Sequence, residues 1–408
     1  SKTEKRRYKK ERVASFCKKK EVVMYLKGKN RYCKTAGEAG KKLFMKKGAL
    51  IIAMAVLLVC LGGCGGEKAE PVEPPEAKPV FYNPVTNLEV EEEQIRTRPI
   101  AVMLNNVKQA MPQMGVSRAD LYFELPAEGD TNRIMALFYD YEDIPVIGTV
   151  RSARDYFVDY ARSFDALFLH YGGSPQFYSL RSEIGYDDLD GINAQVESLL
   201  YWRDDERRKT KGREHSVMTS GEKIMQTIDA LEVRSVLSQD YSPYFQFAPA
   251  GQKAPAGHIS AEKVSVPFSG YITPVFTYDA ESGLYVRSQY GQTHIDGIDQ
   301  TPLTVTNLVV LQTDISPIAA DADLRINFRS TGEGSGYYIT EGYAREIRWK
   351  KDSARSRLEL LDEKGDSVVV NSGKMWICIL GKEPVIEPGT VAEASSGAGI
   401  NAPEEAAL

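Results

Sequence analysis

The sequence is poor in cysteine and histidine, and it lacks two of the short motifs that mark common enzyme families. Five cysteines in 408 residues are too few for a disulfide scaffold. No cluster of cysteine and histidine has the spacing of a zinc site. P-loop and H-E-x-x-H motifs are also absent. These absences exclude a disulfide-rich module, a zinc-ribbon domain and the two motif-defined enzyme classes.

The charge is unevenly distributed along the chain. All 408 residues contain 51 Lys and Arg against 56 Asp and Glu, and residues 1–47 hold 18 and 4 of these. Residues 48–408 therefore hold 33 and 52, a net charge of −19. Such a body repels phosphate backbones, which excludes nucleic acid as the main partner. With 42% apolar and 26% charged residues, the composition is that of a globular protein with room for two domains.

Residues 45–64 have the layout of a secretion signal. Met45-Lys46-Lys47 precedes the uncharged, apolar run 48–61, which is shorter than a typical membrane-spanning helix. Leu61-Gly62-Gly63-Cys64 resembles a bacterial lipobox, which implies a signal peptide over 45–63 and lipidation of Cys64. The alternative is a buried apolar helix that ends in cysteine. We interpret residues 1–44 as a mis-annotated upstream extension and not as a nucleic-acid-binding arm.

The pattern after Cys64 predicts two domains. Residues 64–97 carry the lipidated cysteine and a Pro-rich tether, since four prolines fall between residues 71 and 79. Residues 98–240 alternate strand-like and helix-like runs, which predicts an α/β domain with a mixed or partly parallel sheet. Residues 241–264 are predicted to be a linker, residues 265–385 a mainly β domain, and residues 386–408 a disordered tail.

The individual elements are predicted from hydrophobic periodicity. Helical spacing marks the stripe from Tyr156 to Phe164 and the segment from Glu222 to Leu231. Turns at 279–283 and 362–366 predict two hairpins. The predicted strands of the first domain are Ile100–Leu104, Leu121–Leu125, Ile134–Tyr139 and Ala166–His170.

The first candidate site is Arg151-Ser152-Ala153-Arg154, where a strand end leads into a helix. Ser152 is predicted to be the helix N-cap, with Asp155 completing a capping box. Two arginines beside the positive end of a helix dipole are unfavourable unless an anion is bound. The alternative is that Arg151 and Arg154 pair with internal carboxylates, for which the candidates are Asp120, Glu124 and Glu128.

The second candidate site is His170-Tyr171-Gly172-Gly173-Ser174-Pro175. His170 ends an apolar strand, and ligands of open α/β sheets bind beyond the carboxyl ends of strands. His170 is therefore either a ligand-binding or basic group, or a polar residue that caps the strand. Gly172 and Gly173 either allow a ligand close to the backbone or only form the turn. Ser174 lacks the G-x-S-x-G context of a hydrolase nucleophile.

The third candidate is the loop 128–133. Its Glu128, Asp130 and Arg133 either line the same cleft or form an ordinary solvated loop. The other histidines are predicted at the surface, because their segments are polar or irregular and they share no metal-ligand spacing: His215, His258 and His294. Cys378 lies in an apolar run, so we expect a buried, unreactive thiol.

Several blocks of the sequence resemble the YerB-like bacterial lipoprotein family. The blocks are Arg98-Pro99-Ile100 with Asn105-Asn106, Ser117-Arg118-Ala119-Asp120, Val150-Arg151-Ser152-Ala153-Arg154, His170 with Gly172-Gly173-Ser174-Pro175, Tyr201-Trp202-Arg203-Asp204 and Gly373-Lys374 with Trp376. The resemblance spans residues 83–380 and implies a two-part lipoprotein without naming a substrate. Met114 and the charged stretch 205–214 depart from the family pattern. In arrangement only, Arg133, Arg151 and Arg154 resemble enzymes of the LytR-CpsA-Psr type, which hold a polyprenyl pyrophosphate.

Three hypotheses follow from these patterns. The leading one is a membrane-anchored, extracytoplasmic lipoprotein that binds an anionic ligand, without a cofactor, through residues of the three candidate sites: Arg133, Arg151, Ser152, Arg154, His170, Gly172, Gly173 and Ser174. The second is an envelope phosphotransferase acting on a glycopolymer precursor, with Glu128 or Asp130 holding a metal ion. The third is a protein-interaction scaffold, which requires every arginine to be paired internally.

Overall fold

The computed structural model of the chain describes residues 79–255 and 257–388. The predicted upstream extension, the signal peptide, Cys64 and residues 389–408 lie outside the described residues. None of the described helices is long and apolar enough to cross a membrane.

Residues 79–240 contain ten strands and five α-helices. The strands are β1 (Phe81–Tyr82), β2 (Glu89–Val90), β3 (Ile100–Asn105), β4 (Leu121–Pro126), β5 (Asn132–Phe138), β6 (Ile147–Gly148), β7 (Leu167–His170), β8 (Asp188–Asp190), β9 (Trp202–Arg203) and β10 (Val217–Thr219). The helices are α1 (Asp155–Ser163), α2 (Pro175–Ile184), α3 (Ala194–Leu200), α4 (Asp205–Thr210) and α5 (Gly221–Ala230). Short 3-10 turns occupy Glu92–Gln94, Lys108–Ala110, Val116–Arg118 and Arg213–His215.

Beyond residue 240, the described part of the chain contains strands and turns without a helix. The first of these strands are β11 (Gln246–Phe247), β12 (Ile259–Ser260), β13 (Lys263–Ser265), β14 (Val275–Asp279), β15 (Leu284–Gln289), β16 (Gln292–Thr293), β17 (Thr304–Val305) and β18 (Asn307–Gln312). They are followed by β19 (Ile315–Pro317), β20 (Ile326–Phe328), β21 (Gly332–Thr340), β22 (Tyr343–Lys351), β23 (Glu359–Leu361), β24 (Val369–Val370), β25 (Met375–Leu380) and β26 (Val385–Glu387).

One mixed sheet joins the two regions that the sequence divides. Its order is β12-β22-β21-β18-β25-β4-β5-β3-β7-β8, with β23 added beside β22. Strand β25 of the second region pairs in parallel with β4 of the first. Strands β3, β7 and β8 are parallel to one another, while β5 is antiparallel to both β3 and β4. The predicted mixed sheet is therefore present, and the strand-rich second region is confirmed. The division into domains stays a prediction.

The large sheet is covered on both faces. Alternate residues of β3 point to opposite sides, so Ile100, Val102 and Leu104 share one core with Val264 and Phe276 of the second sheet, β16-β15-β14-β13-β26. Ala101 and Met103 belong to the other core, which contains the buried face of α1. A strand buried on both faces is an unbroken apolar run, as the sequence of β3 shows.

The predicted strands and helices of the first region are present, but parts of the predicted tether, linker and tail pack on the body. Residues predicted as tether pack on the body: Asn83, Val85 and Thr86 are buried. Ile386 and Glu387, the first described residues of the predicted tail, lie in β26, which pairs with β13. The linker segment packs as well, since Tyr244 stacks on Phe164.

The hairpin turn predicted around 362–366 is present, since Leu361 forms an antiparallel bridge with Ser367 and the Asp362 N–H donates to the carbonyl of Asp366 at 2.8 Å. The flanking strands also pair outside the hairpin, β23 with β22 and β24 with β11.

A buried ion pair connects the two regions beneath the sheet. Glu124 of β4 and Arg287 of β15 lie 2.8 Å apart, and both side chains are almost fully buried. The same Oε1 of Glu124 accepts hydrogen bonds from Asn106 and Asn132, and Oε2 accepts one from the Trp376 indole N–H at 2.8 Å. Burial raises the pKa of Glu124, whereas Arg287 and these donors oppose the rise. Every partner is a donor, so the pattern requires a carboxylate.

The ion pair continues into a hydrogen-bonded chain. Arg287 donates to Nδ1 of His294, whose Nε2 lies 2.5 Å from Oε1 of Gln113. An acceptor role for Nδ1 places the ring hydrogen on Nε2. Burial and the neighbouring Arg287 hold the pKa of His294 well below its ordinary value, so the ring is neutral. His294 is therefore buried and structural, and its predicted surface position is wrong.

Breaking this ion pair should destabilise the whole protein. Glu124→Gln leaves the Arg287 guanidinium buried without its counter-charge, for which we expect a loss of about 3–5 kcal/mol in the free energy of unfolding. The measurement is urea unfolding followed by tryptophan fluorescence, with Arg287→Met as the second arm of a double-mutant cycle. Glu387→Gln, which breaks the exposed Lys263–Glu387 pair, is the control and should cost under about 0.5 kcal/mol. A cost below about 1 kcal/mol for Glu124→Gln contradicts the assignment.

Candidate functional site

The predicted site residues gather at the carboxyl ends of three parallel strands. Asn105, His170 and Asp190 are the last residues of β3, β7 and β8. The segment that contains Arg151 runs beside β3, with the Arg151 N–H donating to the carbonyl of Met103 at 2.9 Å. The sheet therefore brings the first two candidate motifs together where ligands of such sheets bind.

Arg133 and Arg154 share one carboxylate. The Arg154 Nε lies 2.8 Å from Oε2 of Glu128, and its Nη2 contacts Oε1. Arg133 contacts the same Oε1 and donates to the carbonyl of Ser152 at 2.5 Å. Burial alone would raise the pKa of Glu128, but the two guanidinium groups hold it below its ordinary value. Glu128 is thus the internal partner that the sequence left open, while Glu124 pairs with Arg287.

This cluster keeps an excess of positive charge. Two guanidinium groups face one carboxylate, and Arg133 is nearly fully buried. Burial and the proximity of Arg154 lower the pKa of Arg133 to about 9. The neighbouring Glu128 opposes this lowering of the Arg133 pKa but does not cancel it.

Arg151 differs from the other two arginines. Its side chain is half-buried, and its guanidinium has no hydrogen bond or ion pair with the residues that the structure describes. Burial lowers the pKa of Arg151, while Glu128 and Glu214 oppose this and Arg154 reinforces it. A guanidinium that is partly removed from water without a partner is costly to hold. Of the three arginines, Arg151 is thus the one whose guanidinium has no acceptor among the described residues.

The sequence missed His215 as a neighbour of Arg151. His215 is buried, and Asn105 Nδ2 donates to its Nδ1 at 2.8 Å. Its Nε2 lies 3.5 Å from Oε1 of Glu214. Burial, opposed by Glu214 and reinforced by Arg151, lowers the pKa of His215. The predicted surface position is wrong for His215 and correct for the exposed His258. The only sequence feature that marked His215 out was the charged stretch 205–214 that precedes it.

Ser152 does not cap the helix. Helix α1 begins at Asp155, and its N-cap is Arg154, which makes no side-chain capping bond. The predicted capping box is therefore wrong. Ala153 instead forms a bridge with Gly173, and this pairing keeps the chain extended past the position where a Ser152 cap would begin the helix.

His170 is fully enclosed. Its Nδ1 lies 2.9 Å from the carbonyl oxygen of Gly172, and its Nε2 lies 2.9 Å from Oδ2 of Asp188. With both ring nitrogens engaged and no exposed surface, His170 has no nitrogen free to accept a proton from a ligand. It links the carboxyl end of β7 to Asp188, the first residue of β8.

The glycines and Ser174 also have structural roles. Gly172 has a φ of +80°, a conformation that strongly favours glycine. A Cβ at Gly173 would lie 2.3 Å from the ring of Phe177. Ser174 is the N-cap of α2, accepting the Phe177 N–H at 3.1 Å, with Pro175 at the first helical position. Together these residues close the turn, and their predicted ligand contacts remain predictions.

The acidic residues of the third candidate separate. Glu128 faces the arginines, whereas Asp130 is exposed and lines a groove with Phe268 and Leu324. Among the described residues, no three His, Cys, Asp or Glu side chains are placed to hold a metal ion. The geometry of Glu128 gives the phosphotransferase hypothesis no support.

Cys378 is buried in β25, as the sequence predicts. The thiol is a free, packed core group. Because it is buried, its pKa is raised well above the ordinary value.

The cap at Ser174 can be tested separately from any ligand role. Ser174→Ala removes the acceptor for the Phe177 N–H, and we expect a loss of about 1 kcal/mol in the free energy of unfolding. Ser182→Ala, an exposed position within the same helix, is the matched control and should be close to neutral. Urea unfolding measures both variants. If Ser174→Ala weakens anion binding without a loss of stability, Ser174 is a ligand residue and not mainly a cap.

Comparison with known proteins identifies relatives along most of the chain. The N-terminal domain of the family "Protein of unknown function (DUF3048)" matches residues 85–234, and its C-terminal domain matches residues 264–377. The chain is 29% identical over 339 residues to the "Putative lipoprotein YerB" of Bacillus subtilis, an alignment that covers 82% of this chain and 96% of that protein. The crystal structure of the YerB protein from Bacillus subtilis is similar with a TM-score of 0.63 and 26% identity, covering 75% of this chain and 99% of that one. The predicted family is confirmed: the chain belongs to the DUF3048 family of proteins of unknown function and is a relative of the lipoprotein YerB.

Proposed function

We propose that this protein is a membrane-anchored, extracytoplasmic lipoprotein that binds an anionic ligand at Arg151, at the carboxyl edge of its N-terminal α/β region. The supporting observation is the half-buried guanidinium of Arg151, which has no acceptor among the described residues. Arg133 and Arg154 lie close to it, and both form their ion pair with the same carboxylate, Glu128. An anion on Arg151 would offset the excess of positive charge.

The neighbours of Arg151 favour an anion with several acceptor oxygens. Nε2 of His215 is not committed to Asn105 but lies 3.5 Å from Oε1 of Glu214, so it would be a second donor only if the anion takes the place of that carboxylate. Glu214 is exposed and would repel an anion weakly, since water screens it. Phosphate and pyrophosphate groups accept several charge-assisted hydrogen bonds at once, so they fit this set of donors better than a halide does.

The scaffold hypothesis has partial support. It requires each arginine of the site to be paired internally, and Arg133 and Arg154 satisfy this through Glu128. Arg151 does not satisfy it. The anion-binding and scaffold hypotheses therefore differ on Arg151: the first requires its guanidinium to be without an internal partner, and the second requires it to be paired.

Substitution of the two arginines separates these hypotheses. Arg154→Ala leaves Glu128 with one partner, and we expect about 1–3 kcal/mol of destabilisation. Arg151→Ala removes a guanidinium that has no partner among the described residues, so its stability should stay within about 0.5 kcal/mol of the parent. Pyrophosphate at about 100 times its dissociation constant should stabilise the parent by about 2.7 kcal/mol and leave Arg151→Ala unchanged.

The measurement is thermal unfolding of the full chain in detergent, with and without pyrophosphate and Mg²⁺. Arg355→Ala, at an exposed arginine, is the control for the loss of a positive charge. Stabilisation of the Arg151→Ala variant equal to that of the parent would rule out the site. A response that appears only with Mg²⁺ would favour the phosphotransferase hypothesis.

The proposed anchor has its own test. Cys64→Ser should abolish incorporation of labelled fatty acid and release the protein from the membrane fraction, because the thiol is the acceptor of the lipid. Cys60→Ser, at the end of the apolar run, is the matched control and should leave both properties unchanged. Fatty acid incorporation that persists in Cys64→Ser places the modification elsewhere.

A further inference from the structure

The carboxylate of Glu214 lies beside both of the donors that an anion at Arg151 would use. Its Oε1 is 3.5 Å from Nε2 of His215, and this nitrogen carries the ring hydrogen because Nδ1 accepts from Asn105. The pKa of Glu214 is held below its ordinary value by its own backbone N–H and, against the effect of burial, by His215 and Arg151. Glu214 is therefore near the Arg151 guanidinium as well as the imidazole.

The cations around His215 lack an ion-pair partner among the described residues. Arg207 donates to the backbone carbonyls of His215 and Pro112 at 3.1 Å each, and Lys211 donates to the carbonyl of Met111 at 2.8 Å. Burial lowers the pKa of His215, Glu214 opposes this, and the three cations Arg151, Arg207 and Lys211 reinforce it. Glu214 thus places a negative charge where unpaired positive charges gather.

The turn that carries Glu214 is fixed, whereas its side chain can move. The His215 N–H donates to the carbonyl of Gly212 at 3.2 Å, and Nη1 of Arg203 donates to the carbonyl of Arg213 at 2.8 Å. The Glu214 side chain is 52% exposed. Rotation about its side-chain bonds therefore takes the carboxylate from the imidazole into water without a change in the backbone.

We propose that the Glu214 carboxylate competes with the ligand for the proposed anion site: it occupies the place beside Arg151 and His215 in the free protein and moves into water when an anion binds. This competition depends on the proposed anion-binding function. It lowers the apparent affinity to the fraction of molecules in which the carboxylate has moved away. Arg151 and His215 then bind only an anion that replaces what Glu214 supplies to them.

Displacement of Glu214 differs from simple repulsion in its dependence on ligand charge. Displacement weakens every anion that takes this place by the same factor, because the factor is the open fraction of the protein. Repulsion increases with the charge of the ligand and is screened by salt. Phosphate and the more highly charged pyrophosphate therefore distinguish the two mechanisms.

Substitutions at Glu214 test the competition on the full chain in detergent. Glu214→Ala should tighten the binding of phosphate and of pyrophosphate by the same factor, roughly three- to tenfold. Glu214→Asp keeps the charge on a side chain that is one methylene shorter, and it should also tighten the binding of both anions. Glu206→Ala removes an exposed carboxylate from the same charged stretch and should leave both affinities unchanged. Isothermal titration calorimetry at two salt concentrations measures the affinities.

The imidazole of His215 reports on the contact without any ligand. Glu214→Ala removes the carboxylate that opposes the lowering of the His215 pKa, so this pKa should fall further. Glu206→Ala should not change it. Nitrogen-15 NMR of the histidine rings across a pH titration measures both variants. A pKa of His215 that is the same in Glu214→Ala and the parent overturns the proposal, because the carboxylate is then not beside the ring.

The binding data separate this proposal from the proposed function. Equal affinities of the parent and Glu214→Ala overturn the competition and leave anion binding intact. A gain that is larger for pyrophosphate, falls with salt and is absent in Glu214→Asp indicates repulsion, which also overturns it. Weaker binding by Glu214→Ala makes Glu214 a ligand residue and has the same consequence. If the parent and all variants bind neither anion, the proposed function is wrong and the competition with it.

Discussion

The buried pair of Glu124 and Arg287 constrains the fold more than any other contact, because it joins a strand of each family region. Two charges removed from water are stable only when each finds its counter-charge and donors. Glu124 therefore requires Arg287, two asparagines and Trp376 at once. These groups come from both regions, so neither can satisfy Glu124 alone. The shared sheet meets the same requirement, because β25, which carries Trp376, lies beside β4, which carries Glu124.

Much of the fold was predictable from the sequence, because local patterns determine its elements. An unbroken apolar run gave β3, a helical stripe gave α1, and the turn at 279–283 gave the hairpin of β14 and β15. The errors have one physical cause. The Pro-rich tether, the linker and the tail are polar or irregular in sequence, yet residues 83–90, 244–247 and 386–387 pack because a distant strand or ring offers a partner.

The ion pairs and buried histidines of the site were also only partly predictable from the sequence. The sequence indicated that Arg133, Arg151 and Arg154 would meet at strand ends, and it named Glu128 among the possible partners. The sequence could not assign which arginines pair with which carboxylate, because these ion pairs depend on distances in the folded chain. It also placed His215 and His294 in water, since no local pattern shows that Asn105 or Gln113 would supply a buried hydrogen-bond partner. Buried polar groups are the least visible part of a fold in its sequence.

The proposed anion site lies in a body whose net charge of −19 would repel its ligand at a distance. At physiological ionic strength, repulsion between exposed charges fades beyond a Debye length of about 8 Å. Attraction must therefore act at short range, where a half-buried guanidinium is poorly screened. This favours an anion that offers several oxygens to Arg151 and its neighbours over one that relies on charge alone.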